Sequence, residues 1–334
     1  MGKLYFDVKD VYKYGEPFNI VIAGRGTGKT YSSLALALEE YKQTGLKFIY
    51  MRRTKTEIDF IAKTEYANPM KPVNDNITLQ KIDNSFSVFK DEESNIIGYM
   101  FALSTVASIR GIDMSDVAIW IYDEFIPEPH VKKIKNEGMA FLNAYETFNR
   151  NREFNGIKPI TVFLLANSNN FNSDILVETK LQKKVEEMIR KGKSFSHIAN
   201  KKCTISLPKN HTFESRKRDT VLYQFSADSD FTKMAIDNEF TQNDFANITS
   251  MSTKHMKVIC CIGHIYIYRD NNCYYATRMK KTPKDVYTLN DSGEKAFLKD
   301  YGLILTKAYI YDYLLFENYE IKRILVKILT GNDI

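Results

Sequence analysis

Residues 18–23 (FNIVIA) form an unbroken apolar run of the kind that makes a strand buried on both faces. The run leads into a glycine-rich turn and then TYSSLALALEEY, a helical pattern that ends at Gly45. Further buried strands are expected at residues 47–51 (KFIYM), 117–122 (VAIWIY) and 160–166 (ITVFLLA), with a helical segment over residues 137–150. Strands alternating with helices predict an α/β fold with a mostly parallel sheet. Between the second and third strands, residues 85–103 read as an antiparallel hairpin around DEESN.

Beyond the fourth strand, Asp174 is placed to cap a helix in which Val177, Leu181, Val185 and Met188 recur at helical spacing until Gly192. This helix closes a first domain, residues 1–199. Residues 200–220 mix basic, polar and proline positions and read as a basic linker. Residues 221–334 then form a smaller α+β domain. In it, residues 258–279 predict a hairpin turning near Asn271 and Asn272, with Ile262, His264, Tyr266 and Tyr268 on one face.

The 334 residues are 44% hydrophobic and 26% charged, a balance that excludes wholesale disorder. The start, MGKLYFDVKD, lacks the apolar core of a signal peptide, and no apolar stretch is long enough to span a membrane. A soluble cytoplasmic protein without membrane contact is expected. Cys203, Cys260, Cys261 and Cys273 have no CxxC spacing and read as reduced structural thiols. Net charge is +6, but residues 180–218 hold twelve Lys/Arg against three Glu, +9, which leaves −3 for the rest. Within this belt Lys183, Lys184, Arg190, Lys191, Lys193, Lys201 and Lys202 are candidates for sequence-blind contact with a phosphate backbone. A solubilising helix face is the bland alternative.

The turn after the first strand, Ala23-Gly24-Arg25-Gly26-Thr27-Gly28-Lys29-Thr30, fits a Walker A loop with Ala in place of the usual first Gly. Its glycines let successive N–H groups converge on a β-phosphate at a helix N-terminus. Lys29 reaches the β/γ oxygens, and Thr30 offers a hydroxyl to Mg²⁺. ATP with Mg²⁺ is the expected ligand.

Residues 117–124 (VAIWIYDE) place two carboxylates at the carboxyl end of a buried strand. Asp123 is expected in the metal shell and Glu124 as the base that polarises the attacking water, a division that argues for hydrolysis. Asn167, after the fourth strand, stands where it could sense the γ-phosphate. For stabilising transition-state charge the candidates are Arg25 in cis, Arg150 or Arg152 at the end of the helix over residues 137–150, and Arg110.

The elements AGRGTGKT, SIRG, IYDEF and ANSNN together resemble the large-terminase class of viral DNA-packaging ATPases, over roughly residues 15–170. The short chain most resembles the packaging motors of small protein-primed podophages of the phi29 type. That resemblance implies a homomeric ring, usually a pentamer, docked on the capsid portal of the prohead in the infected host's cytoplasm and pumping double-stranded DNA inward, with a packaging RNA as a further candidate partner. It also implies Lys29 and Thr30 at nucleotide and metal, Asp123 at Mg²⁺, Glu124 in catalysis, Asn167 in coupling, and Arg150 or Arg152 as a trans finger. Large terminases carry an RNase H-like nuclease as their second domain. Here residues 258–278 hold no acidic residue before Asp270, and Asp228, Asp230 and Asp237 read as N-caps and a solvated face, so a vestigial nuclease fold without nuclease activity is expected. The competing readings are a cellular-type DNA translocase or helicase-like ATPase, and a nucleotide-gated assembly or partition ATPase that produces no force.

Overall fold

In the computed structural model, the described residues are 4–83, 86–109, 113–127, 134–167, 173–209, 211–227, 229, 232, 247–270 and 273–331. The chain divides into two compact units. Unit 1 comprises Met1–Leu181 and Glu187–Phe240, and unit 2 comprises Gln182–Glu186 and Thr241–Ile334.

Unit 1 is built on a nine-stranded sheet of order β3-β4-β5-β2-β6-β7-β1-β9-β8. The four buried strands expected from sequence are β1 (Phe18–Ala23), β2 (Lys47–Arg52), β6 (Val117–Asp123) and β7 (Thr161–Asn167). The expected hairpin is β4 (Phe86–Lys90) and β5 (Ile96–Ala102), antiparallel to each other, with β3 (Thr78–Lys81) at the edge. From β5 to β9 (Cys203–Ser206) neighbouring strands run parallel, and β8 (Phe195–Ile198) closes the far edge antiparallel.

Both faces of the parallel core are covered, as continuous apolar runs require. On one face Val21, Phe48, Ile119, Ile121 and Phe163 pack with Leu34 and Ala37 of α2 (Lys29–Thr44). On the other, Trp120 meets Phe141 and Phe148 of α4 (Glu137–Asn149) at ring distances of 5.2 and 5.4 Å. A Cβ on Gly138 would stand 2.6 Å from the Asp174 carbonyl oxygen, so this glycine lets α4 lie directly on α5 (Asp174–Glu178). Short α1 (Lys9–Tyr12) precedes the sheet, and α3 (Lys55–Lys63) follows β2 with a Thr54/Glu57 capping box.

Several expectations need correction. The single closing helix over residues 174–192 is two helices, α5 and α6 (Gln182–Arg190), because Lys180 takes a left-handed conformation with φ 59°. The segment expected as linker, residues 200–220, contains β9, paired with β1 one strand in from the sheet's edge, and α7 (His211–Arg218). Its strand CTIS is buried throughout, but four residues amid basic neighbours are too short a periodic signal. The helix α8 (Val221–Phe225) also belongs to unit 1, and the chain enters its longer unit 2 segment only at Thr241.

Unit 2 holds a five-stranded sheet of order β13-β10-β11-β12-β14. The expected single hairpin is a three-strand meander of β10 (Lys257–Ile262), β11 (Ile265–Arg269) and β12 (Tyr274–Thr277). The extra turn is the two-residue loop Gly263-His264. Glycine at its first position has φ 58°, which a tight hairpin loop of this kind requires. Ile262 and His264 therefore do not continue one strand face with Tyr266 and Tyr268. Asn271 and Asn272, the turn expected from sequence, lie outside the described residues, as do Asp228, Asp230 and Asp237. The parallel strands β13 (Asp285–Tyr287) and β14 (Leu314–Phe316) flank the meander. Its core joins Ile262, Ile265 and Ile267 with Phe297 of α9 (Asp291–Phe297), Leu305 of α10 (Leu303–Ile310) and Leu325 of α11 (Tyr319–Thr330). All four cysteines are free thiols, and burial raises the pKa of each.

Among the described residues no helix is long and apolar enough to cross a membrane.

Candidate functional site

The carboxyl ends of β1, β6 and β7 meet at one edge of the parallel sheet, where open α/β sheets bind ligands. β1 passes into the loop Gly24–Gly28, and α2 begins at Lys29. Gly26 and Gly28 have φ 77° and 91°, values that only glycine adopts without strain, so the loop can turn its amides toward one point. Gly28 also carries the Tyr5 side chain against it, 3.2 Å from where a Cβ would stand.

Lys29 is 6% exposed and lies along the inside of the loop. Its Nζ donates to the carbonyls of Ala23 and Gly24, both at 2.9 Å, and to Asn167 Oδ1 at 3.3 Å. Burial lowers its pKa to about 8, with Asp123 acting in the opposite sense. The β1–β7 register pairs Ala23 with Asn167, which is why the asparagine lands beside the lysine.

The Thr30 hydroxyl donates to Asp123 Oδ2 at 3.0 Å, and the Tyr50 hydroxyl donates to the same oxygen at 3.0 Å. A hydroxyl and a carboxylate held this close are oxygen donors of the kind that ligate a hard divalent cation. Among the described residues no cluster of three or more His, Cys, Asp or Glu could hold a metal unaided.

Glu124 follows with φ 55°, a left-handed backbone uncommon outside glycine and typical of functional turns. That turn takes its carboxylate out of the strand's alternation and onto Arg52, whose Nη2 stands 2.5 Å from Glu124 Oε2 and 3.0 Å from Glu57 Oε1. Nη1 of Arg52 is 3.8 Å from Asp123. Burial opposes the charge on this guanidinium, but Tyr50 and the carboxylates of Glu124, Asp123 and Glu57 outweigh it and raise its pKa.

A cleft of about 1380 Å³ runs along this edge, bounded by the loop, by Asp123, Glu124 and Asn167, and by an N-terminal segment that includes Tyr5 and Phe6. Main-chain and side-chain bonds hold that segment against the loop: Phe6 N donates to Thr27 O at 2.9 Å, and Val8 N to Ser32 Oγ at 2.6 Å. Arg25 also lines the cleft, and its carbonyl accepts a hydrogen bond from Lys217 of α7 at 2.8 Å.

The structure separates the arginine candidates. Arg152 points inward, 7% exposed. It donates from Nη1 to Val117 O at 2.5 Å and from Nη2 to Ser115 O at 3.3 Å, and burial lowers its pKa. In this structure the guanidinium that was a finger candidate supports the start of β6. Arg150 caps the end of α4 with φ 43° and is exposed. Arg110 and the segment after Asn167 lie outside the described residues.

The basic belt is not one continuous helix face. Lys183 and Lys184 belong to unit 2, and Lys183 lies 3.8 Å from Glu317. The remaining five belong to unit 1, where Lys191 pairs with Glu187 at 2.7 Å and Lys201 donates to Thr179 O at 2.7 Å. Arg190, Lys193 and Lys202 are exposed.

Sequence reasoning missed Tyr50, Arg52 and Arg53. A basic pair directly after a buried strand, at the sheet edge that carries the loop, was the available signal.

Comparison with known proteins gives a concordant result. Residues 1–332 match the family described as Podovirus DNA encapsidation protein (Gp16). The chain is 26% identical over 337 residues to a DNA packaging protein of Bacillus phage PZA, and 26% identical over 336 residues to one of Bacillus phage phi29. Each comparison covers 96% of both chains. A chain in the solved bacteriophage Phi-29 viral genome packaging motor assembly superposes with a TM-score of 0.71 at 22% identity, covering 98% of both chains, which establishes a shared fold.

Proposed function

The chain belongs to the Podovirus DNA encapsidation protein (Gp16) family, and from that premise we propose that it hydrolyses ATP to drive double-stranded DNA into a preformed capsid. The observation that carries the catalytic part is the convergence of Lys29, Thr30, Asp123 and Glu124 on one cleft edge. Lys29 binds the β/γ oxygens and the loop amides cradle the β-phosphate. Thr30 and Asp123 would hold Mg²⁺, and the ion when bound would supply positive charge beside the phosphoryl group being transferred. Glu124 orients and deprotonates the attacking water once its carboxylate leaves Arg52. Asn167, bonded to Lys29 and standing at the end of β7, reports the phosphate state to that strand.

The motor works as a homomeric ring, pentameric in this reading, docked on the portal of the prohead in the host cytoplasm, with a packaging RNA as a further partner. Arg150, exposed at the end of α4, serves a neighbouring subunit's site as the trans finger. Arg190, Lys193 and Lys202, exposed in unit 1, contact the DNA backbone, with the rest of the belt adding to the field. Unit 2 is a vestigial nuclease-like domain. Its β10–β12 meander carries aromatic and aliphatic side chains where a two-metal nuclease needs carboxylates.

The test is ATP turnover by the full chain alone, with double-stranded DNA, and with DNA plus empty proheads. Stimulation by DNA that rises again with proheads is expected, together with nuclease-protected DNA inside the capsids. Turnover indifferent to both additions would sink the packaging reading, and a response to DNA alone would point to a general translocase.

A further inference from the structure

Arg53, at the carboxyl end of β2, is 2% exposed in the wall of the nucleotide cleft. It forms a two-pronged ion pair with Glu137, Nε to Oε1 at 2.8 Å and Nη2 to Oε2 at 2.9 Å. Tyr122 of β6, itself fully buried, donates its hydroxyl to Glu137 Oε1 at 2.9 Å. Hydrogen bonds to Glu137 offset the burial cost of the guanidinium and raise its pKa, whereas burial raises that of the tyrosine. A buried ion pair adds little stability over well-packed apolar side chains of the same volume, so what it contributes best is one defined geometry.

The geometry it defines is that of α4. Glu137 sits in the first turn of this helix, and Gly138 lets the same turn rest on the α5 backbone. At the far end Asn149 Oδ1 accepts from Ile160 N at 2.9 Å, and Arg150 follows as the C-cap. A 13-residue helix is a rod of about 20 Å, with Glu137 at its foot and Arg150 at its end. The residue before Arg53 is Arg52, which holds Glu124 and Asp123. Adjacent residues thus grip the two hydrolytic carboxylates and the foot of α4.

We propose that Arg53, Tyr122 and Glu137 are positioning residues that set α4 against the end of β2, and so place Arg150 for a neighbouring subunit's site. The inference rests on the finger reading of Arg150 given above.

The experiment uses full-length chain with double-stranded DNA. Glu137→Gln is expected to keep affinity for a fluorescent ATP analogue while kcat falls by about 10²-fold, the scale of a misplaced catalytic group. Mixing with Lys29→Ala subunits, whose own α4 is intact, is expected to restore hydrolysis at the Glu137→Gln sites. Tyr122→Phe, which keeps the ion pair, covers the case in which Glu137→Gln does not fold, and a smaller kcat loss with the same rescue is expected of it. Unchanged kcat in a folded variant, or a kcat loss that Lys29→Ala subunits do not rescue, would overturn the proposal. Arg150→Ala in the same mixture separates the two readings. If it too goes unrescued, the finger assignment has failed and the positioning role with it; if only Arg150→Ala is rescued, the triad alone is wrong.

Discussion

Nη2 of Arg52 stands 2.5 Å from Oε2 of Glu124, so the carboxylate proposed to activate water is held by a cation from the neighbouring strand. Glu124 reaches that cation because its own backbone is left-handed, and the same turn puts it beside the cleft. Replacing it with glutamine removes the basic oxygen and leaves the phosphate-binding groups in place. Glu124→Gln should therefore bind ATP normally and hydrolyse it 10²- to 10⁴-fold more slowly, roughly the contribution of a positioned general base. Steady-state ATPase alongside nucleotide titration checks this, and near-normal turnover would remove the assignment.

The Lys29 ammonium should impose a pH dependence on nucleotide affinity. Its pKa is lowered to about 8, so the positive charge that meets the phosphates is lost from the free protein as pH rises through that value. Affinity should be flat below pH 8 and fall about tenfold per unit above it, until the pKa of the nucleotide complex is reached. Folding stability should move the other way. The unfolded chain keeps this proton up to its ordinary value of 10.5, so between the two the unfolded state binds more protons and the Lys29 contribution rises with pH. Titration of a fluorescent ATP analogue from pH 7 to 10 reads the first effect, and a constant affinity across that range would contradict it.

Removal of Arg152 should damage folding and leave subunit cooperation untouched. Its guanidinium satisfies the carbonyls of Val117 and Ser115, and truncation strands them. Arg152→Ala should cost about 2 kcal/mol and lower the melting midpoint by several degrees. Its residual ATPase should not recover on mixing with Lys29→Ala subunits, and recovery would return Arg152 to the finger role.

Thr30 presents its hydroxyl to Asp123, and in the proposed mechanism that oxygen pair would be the protein's share of a Mg²⁺ shell. Thr30→Ala should raise the Mg²⁺ concentration needed for half-maximal turnover by roughly tenfold, the loss of one ligand's worth of binding, whereas Thr30→Ser should not. A Mg²⁺ dependence identical in all three proteins would show that the hydroxyl is not a ligand.

The belt should reveal itself in salt dependence. Neutralising Arg190, Lys193 and Lys202 together should lower the slope of log affinity against log salt by roughly 0.9 for every phosphate that these side chains had been neutralising. An unchanged slope would mean that these exposed cations solubilise the surface and do not touch DNA.

Where a local rule spoke strongly, it spoke correctly. The strands at residues 18–23 and 117–123, the loop between β1 and α2 and the stop at Gly45 each follow from a run of apolar residues or from a backbone conformation that glycine alone supplies. The errors fall where the decisive partner is distant in the chain. β9 is a strand because β1 offers it an edge 185 residues away, and nothing in four residues between lysines and a proline announces that. The break at Lys180 and the turn at Gly263 are single-residue conformations that helical and alternating patterns run through without interruption.

The sequence by itself determined where this protein's candidate site lies and which side chains line it. Glycine spacing, the following Lys-Thr and an acidic pair at a strand end are local features whose geometry is set by the strand-to-turn connection. Only the tertiary structure decided how those groups are controlled. Arg52 on Glu124, Asn167 on Lys29, Arg53 on Glu137 and the inward turn of Arg152 all join strands or helices that sequence separates, and the long-range packing of the sheet alone brings them within hydrogen-bond reach.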